Sequence, residues 1–327
     1  MRLFTLLAGS LLAVGFLQGM TASSALAASR YREFPVPPYS TPVAITAGPE
    51  GDLWFTEVSS NMIGRMTTGG AVTGEFSIPT KDSSPFGIVT GPDGNLWFTE
   101  WYRNKIGRIT PAGHITEYPL DSGLRFPNGI TAGPDGNIWF AEGGYDQGVG
   151  PGIGRISPAG VITQFGVPAS SRPTDIAAGP DGNLWFTDGG ANQIVRMSPA
   201  GFVTGEFSIP TAVATPEGIT SGSDGDLWFA EFDGNKIGRI TTAGAITEFP
   251  VLTVNGRPQR ISAGYDGNIW FTESIGKLGR ITPDGTMCES AARLGTDLNQ
   301  ITAGPDGNIW FTESIGDAIG ERRVGSL

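Results

Sequence analysis

The chain has 327 residues, a formal net charge of -11, one cysteine and one histidine. An acidic balance argues against nucleic acid and anionic membranes as partners, because both are met by basic patches. A lone cysteine, Cys288, excludes an intrachain disulfide, and one histidine, His114, leaves no His/Cys metal cluster.

Residues 1–27 read as an export signal. Arg2 supplies the positive charge, Leu3 to Leu17 an apolar stretch, and Ala25-Leu26-Ala27 a small-residue cleavage site. The expectation is a secreted or periplasmic mature chain of one domain, residues 28–327, with no retained membrane span. Arg32-Glu33-Phe34-Pro35-Val36 comes next and matches the later Thr247-Glu248-Phe249-Pro250-Val251, although it precedes the first full repeat.

A turn of Pro-Asp-Gly-Asn type followed by Leu/Ile-Trp-Phe and an acidic residue then recurs seven times, with its tryptophans at Trp54, Trp97, Trp139, Trp185, Trp228, Trp270 and Trp310. A period of roughly 40–46 residues signals an array of like units, each stable only against its neighbours. In the second unit, Pro85 to Gly91, Leu96 to Glu100, Lys105 to Ile109 and His114 to Tyr118 read as four short antiparallel strands, A to D, joined by Asp-Gly and Ala-Gly turns. Strand B is apolar at successive positions, so both of its faces need cover, and a radial ring of stacked blades provides it. The predicted fold is all-β, a seven-bladed β-propeller of four-stranded antiparallel blades. A four-residue B–C loop sets Phe98 opposite Gly107 and Trp97 opposite Arg108, the glycine making room for an aromatic ring. Val195 breaks that rule in blade four. The last repeat stops after a strand C phrase, so residues 32–36 are expected to supply its missing outer strand and close the ring.

The acid ending strand B recurs as Glu57, Glu100, Glu142, Asp188, Glu231, Glu273 and Glu313. It reads either as a cation-attracting rim or as a repeated structural device, and sevenfold repetition favours the device. Function is sought where the repeats differ. The residue after the strand A proline, or its equivalent, runs Val43, Phe86, Asn128, Thr174, Glu217, Gln259, Asn299, and the next Ala44, Gly87, Gly129, Asp175, Gly218, Arg260, Gln300. Strand A is innermost in a propeller, so these positions meet at the channel mouth. Asn128, Asp175, Glu217, Gln259, Arg260 and Asn299 are the candidate ligand-binding set. The oxygens of Asn128, Asp175, Glu217 and Asn299 suit a hard cation, Mg²⁺ or Ca²⁺, with a hydrated polar channel as the alternative.

Trp101 and Tyr102 in the B–C loop of blade two offer rings for stacking on a ligand. The blade three loop is lengthened by Gly143 to Pro151, as a lid or a plain insertion. Cys288 is expected to be a buried apolar residue rather than a nucleophile. His114 follows the C–D turn, at the rim opposite the mouth.

The phrase Gly91-Pro92-Asp93-Gly94-Asn95-Leu96-Trp97-Phe98-Thr99-Glu100 followed by Asn104-Lys105-Ile106-Gly107-Arg108-Ile109 closely resembles the streptogramin B (virginiamycin B) lyase family, and the likeness runs through essentially the whole mature chain. The resemblance implies a seven-bladed propeller that binds Mg²⁺ and linearises cyclic depsipeptide antibiotics by elimination, a histidine taking the α-proton while the metal stabilises the enolate. The family's histidines directly follow the strand A proline in the last two blades. Here those places hold Gln259, within Arg257-Pro258-Gln259-Arg260-Ile261, and Asn299, within Asp297-Leu298-Asn299-Gln300-Ile301. Asp297 stands where the family has a Glu beside its second histidine, and Glu313 lies near the family's other site Glu. A carboxamide accepts no proton near neutrality, so the elimination is expected to fail or be very slow.

The expected function is therefore a secreted, monomeric, lyase-like propeller binding a small molecule, peptide or glycan at the channel mouth, with a divalent cation as an option. The alternatives are a Mg²⁺-dependent lyase that confers antibiotic resistance through another base, a cation-dependent lactonase or other hydrolase, and a structural interaction module.

Overall fold

The computed structural model describes residues 30–120, 125–144, 150–292 and 297–324. Its strands form seven four-stranded antiparallel sheets, and in six of them the order is the sequence order A-B-C-D. The A strands of successive blades lie side by side around the axis, and strand D is outermost. The export signal of residues 1–27 lies outside the described residues, as does the centre of the blade three insertion, residues 145–149, where a lid was considered. Among the described residues no helix is long and apolar enough to cross a membrane.

Registers follow the sequence. In blade two, Trp97 pairs with Arg108, Phe98 with Gly107 and Glu100 with Lys105. A Cβ on Gly107 would lie 2.0 Å from Cζ of Phe98, so in this blade the glycine leaves room for the ring across from it. Blade four manages without it, Val195 pairing with Phe186 and remaining 2% exposed.

The core is a set of layers between blades. One joins Trp54, Ile63 and Ile78 of blade one to Leu96, Phe98 and Ile109 of blade two. Trp185 of blade four likewise meets Phe229 of blade five, and Trp310 of blade seven meets Phe55 of blade one. Each blade thus turns its Trp to the next blade and its Phe to the previous one, which is why strand B shows no alternation. Each ring contributes roughly 1.5–3 kcal/mol of burial. Six of the tryptophans stack on an aromatic ring of their own strand D at 5.4–5.6 Å. The turn aspartate serves the indole, as where Trp97 Nε1 donates to Asp93 at 3.1 Å. The recurring arginine is structural as well. Arg239 lies over Trp228 at 5.5 Å and donates to the carbonyl of Pro283 in the next blade at 2.9 Å.

The ends close the ring as expected. Strand D of blade seven is Tyr31–Pro35, paired antiparallel with Ala318–Arg322. Cys288 corrects one expectation, since it is exposed. It sits opposite Arg280 on the outermost strand of its blade, where only one face has a neighbour.

Candidate functional site at the channel mouth

Strand A carries an extra residue at its start. In every blade the first residue, usually proline, pairs with the strand B acid, and pairing resumes three residues later; in blade six Pro258 faces Glu273 and Ile261 faces Phe271. Two residues therefore oppose one, a β-bulge, which re-aims side chains at a sheet end. The bulged pairs, such as Glu217-Gly218 and Gln259-Arg260, are the positions at which the repeats differ. Length alone carried the signal, six residues in strand A against five in strand B.

The residue facing each bulge is a strand B threonine in five blades, a role the sequence reading missed. Thr272 Oγ1 accepts from the backbone N–H of Arg260 at 3.2 Å and donates to the carbonyl of Asn299 in the next blade at 2.9 Å. Thr56, Thr99, Thr187 and Thr312 do the same. Blades three and five have Ala141 and Ala230 there instead. The loops feeding strand A are clamped too: Asn61, in a left-handed turn conformation that asparagine tolerates, accepts from Ser83 N–H at 2.8 Å and donates to the carbonyl of Thr80 at 2.9 Å.

At the axis the bulges enclose a cavity of about 30 Å³, room for a water or two. Asn128, Asp175, Arg260, Gln300 and Phe86 line it. Arg260 dominates the site. Its residue is only 9% exposed, its guanidinium lies 5.7 Å from the centre of the Phe86 ring across the channel, and Nη1 is 3.9 Å from Glu217 Oε2. Burial raises the Asp175 carboxyl above its usual range, opposed by the charge of Arg260 and by the N–H groups of Ile219 and Ile176. Burial raises Glu217 in the same way, again opposed first by Arg260. Asn128 Oδ1 is buried and accepts no hydrogen bond among the described residues.

The candidate positions thus divide. Asn128, Asp175 and Arg260 meet in the cavity, Glu217 joins through Arg260, and Gln259 and Asn299 do not line it. Asn299 Nδ2 donates to Ser314 Oγ at 2.9 Å, and that hydroxyl donates to the carbonyl of Pro42. Asp297 is half-buried, its carboxyl raised by burial. Phe86 and Gln300 stand among the variable positions but were not singled out.

The seven strand B acids do not open into the mouth. Glu57, Glu100, Glu142, Asp188, Glu231 and Glu273 are 0% exposed and Glu313 1%. Glu100 and Glu231 are raised to about 8, and Glu57 and Glu273 to about 7, by burial above all. The lysines opposite Glu100 and Glu231 serve other acids: Lys105 Nζ bonds Glu117 at 3.3 Å and Lys236 Nζ bonds Glu248 at 2.7 Å. In blades three and four the acid is partnered, Glu142 by Gln164 and Arg125, Asp188 by Arg172 N–H and Gln193.

Around the mouth, the D–A and B–C loops expose apolar side chains: Tyr39, Tyr102, Val213, Leu252, Val254 and Ile315 are each at least half exposed. Trp101 packs on Phe126 at 4.8 Å, and Tyr102 carries Arg103 at 5.2 Å. His114 is exposed beyond the C–D turn, at the opposite rim.

The sequence model described as the virginiamycin B lyase family matches residues 18–147 and 126–296. The chain belongs to this family. Among solved structures, a streptogramin B lyase is 40% identical, covers 89% of this chain and 96% of its own, and superposes with a TM-score of 0.83. A catalytically inactive histidine-to-alanine variant of the virginiamycin B lyase from Staphylococcus aureus, solved with quinupristin, is also 40% identical, with coverage of 89% and 98% and a TM-score of 0.82. A putative gluconolactonase, 16% identical over 89% of this chain and 91% of its own, has a TM-score of 0.57 and shares the fold alone. A search of curated proteins gives no match.

Asp175 and Glu217 are poorly disposed to hold Mg²⁺. The Asp175 oxygens accept backbone N–H groups of Ile176 and Ile219, and a guanidinium already stands beside Glu217. Among the described residues no three His, Cys, Asp or Glu side chains are grouped to hold a metal.

Proposed function

We propose that this chain is a ligand-binding member of the virginiamycin B lyase family that does not carry out the family's elimination. It takes a small molecule, peptide or glycan at the mouth. The observation that carries this reading is the fixed guanidinium of Arg260 beside Asp175 and Glu217, in a mouth whose lyase-equivalent positions, Gln259 and Asn299, hold carboxamides. A histidine general base has a pKa near the working pH and a carboxamide has none. The S. aureus relative lends support, since its inactive histidine-to-alanine variant was solved with quinupristin, so capture and chemistry are separable there. The exposed apolar rim adds a surface suited to a ligand with apolar groups, and the export signal read at residues 1–27 supports a secreted or periplasmic location.

Arg260 would direct a ligand carbonyl or carboxylate into the cavity, donating two hydrogen bonds in its plane. Titration of quinupristin into wild type and Arg260→Gln tests this: saturable binding that weakens about tenfold or more in the variant is expected. Equal affinity in the two proteins, or no binding, would defeat it.

A second reading, a lyase with another base, rests on Glu217, the carboxyl beside Arg260, which burial raises above its usual range against the opposing charge of that arginine. The hydrolase reading needs a metal-held water, and the poor fit of the mouth to a divalent cation counts against it.

A further inference from the structure

The junction between blades six and seven departs from every other junction in several ways at once. Elsewhere the strand B tryptophan stacks on an aromatic ring from strand D of its own blade, as Trp228 does on Phe249 at 5.6 Å. In blade six that strand reads Met287-Cys288-Glu289-Ser290-Ala291, so Ser290 occupies the place of the ring. Elsewhere the ring is covered by the C–D turn glycine of the next blade; a Cβ on Gly285 would lie 2.5 Å from Phe249, and one on Gly244 2.0 Å from Phe207. Blade seven takes its strand D from the N-terminal segment, so among the described residues no C–D turn joins its last two strands. The ring and its cover are absent together.

A cavity of about 130 Å³ remains, lined by Trp270, Leu278, Cys288 and Ser290, with Arg30, Arg280 and Arg322 around it. An engineered apolar cavity of about 150 Å³ accommodates benzene, so the space is of the size of one aromatic ring. Tyr31 reaches in from blade seven and its hydroxyl meets Ser290 Oγ at 2.7 Å, yet the space persists.

Charge at this junction is equally unusual. Arg322 takes the place of the core isoleucine that ends strand C in blade five, Ile240, which is 0% exposed. Its Nε is buried and has no acceptor among the described residues, and Tyr31 lies under its guanidinium at 4.8 Å. Arg280 stacks on Trp270 at 5.8 Å, but the turn carbonyl that serves Arg239 in the preceding blade has no counterpart in blade seven. The one carboxylate of the cavity, Glu289, is engaged by Leu252 N–H and by Thr253. A buried N–H with no acceptor is unfavourable, and an anion at the half-buried guanidinium relieves it.

We propose that this outer cavity is a second binding site, separate from the mouth, for a small aromatic carboxylate. Its ring stacks on Trp270 where the other blades place their own aromatic, and its carboxylate accepts from Arg280 and Arg322. The missing turn removes the carbonyl that Arg239 uses in the preceding blade and leaves the cavity without that cover.

Isothermal titration of the full chain with benzoate tests the site, with acetate as an anion lacking the ring and benzyl alcohol as a ring lacking the charge. Benzoate is expected to bind at least about tenfold more tightly than either. Ser290→Phe restores the ring of the repeat and is expected to abolish benzoate binding while raising the melting temperature. Arg280→Gln is expected to weaken binding about tenfold without filling the cavity, and it carries the test if Ser290→Phe does not fold. Arg260→Gln, at the mouth, should leave benzoate binding unchanged. Benzoate binding no better than acetate, binding that survives in a folded Ser290→Phe protein, or loss only in Arg260→Gln would overturn the proposal.

Discussion

Replacing Glu100 by glutamine should stabilise the protein at high pH and leave it nearly unchanged at low pH. Glu100 is 0% exposed, and neither of its oxygens accepts a hydrogen bond of good geometry, Ser83 giving only the smallest of the opposing effects. Burial, then the charge of Glu117, raises it from 4.5 to about 8, against the smaller opposing effect of Lys105. Protonated, it can donate to Glu117, whose own oxygens accept from Thr80 and Lys105. A group held above its unfolded value contributes stability that is complete below about pH 4.5 and is lost as the pH rises through about 8. At about 1.4 kcal/mol per pH unit the loss has a ceiling of roughly 5 kcal/mol by pH 9. Relaxation and the coupled titration of Glu117 reduce this, so a gain of about 1–3 kcal/mol for Glu100→Gln is expected at pH 9 and about zero at pH 5. Gln164 and Gln193 already bond the equivalent acids in blades three and four, so an amide is at home in this environment. Urea unfolding of both proteins at pH 5, 7 and 9 measures the difference. A variant destabilised by the same amount at all three pH values would refute the reasoning, because Glu100 would then be ionised and partnered throughout.

Two further substitutions test the packing and the mouth. Gly107→Ala should cost about 1–3 kcal/mol, since its Cβ would fall 2.0 Å from the Phe98 ring in a layer with no free space; an unchanged urea midpoint would contradict the layered core. Thr272→Val keeps the shape but removes the acceptor for Arg260 N–H and the donor to the Asn299 carbonyl, so a loss of about 1–3 kcal/mol is expected together with weaker quinupristin binding; loss of stability with unaltered binding would show that the bridge does not position the mouth.

The blades were legible because their determinants are local and repeated. Asp-Gly turns, the strand B apolar run and the strand C glycine each fix one register, and the orphan strand at Arg32 revealed the closure. The mouth was legible as a set of positions and less so as a set of contacts. Gln259, Arg260 and Asn299 all belong to the variable positions after the strand A start, yet only Arg260 of the three lines the cavity, because the bulge re-aims successive side chains in a way that spacing alone does not give. The reach of Arg260 across the axis to Phe86 joins blades that are distant in sequence. The exposure of Cys288 is not legible from its residue type, because a small apolar residue suits a core equally well and strand D has one open face. At the cavity of blades six and seven, Ser290 in place of an aromatic is a sequence feature, whereas the approach of Arg322 to the same space depends on the ring closure.

The central claim is that the mouth captures a ligand without opening it. Incubation of the purified chain with quinupristin and Mg²⁺, followed by liquid chromatography and mass spectrometry, tests this most directly. Elimination would give a ring-opened isomer of unchanged mass and new retention, whereas hydrolysis would add the mass of one water. The expected result is bound quinupristin recovered intact; accumulation of the ring-opened isomer with enzyme turnover would contradict the account.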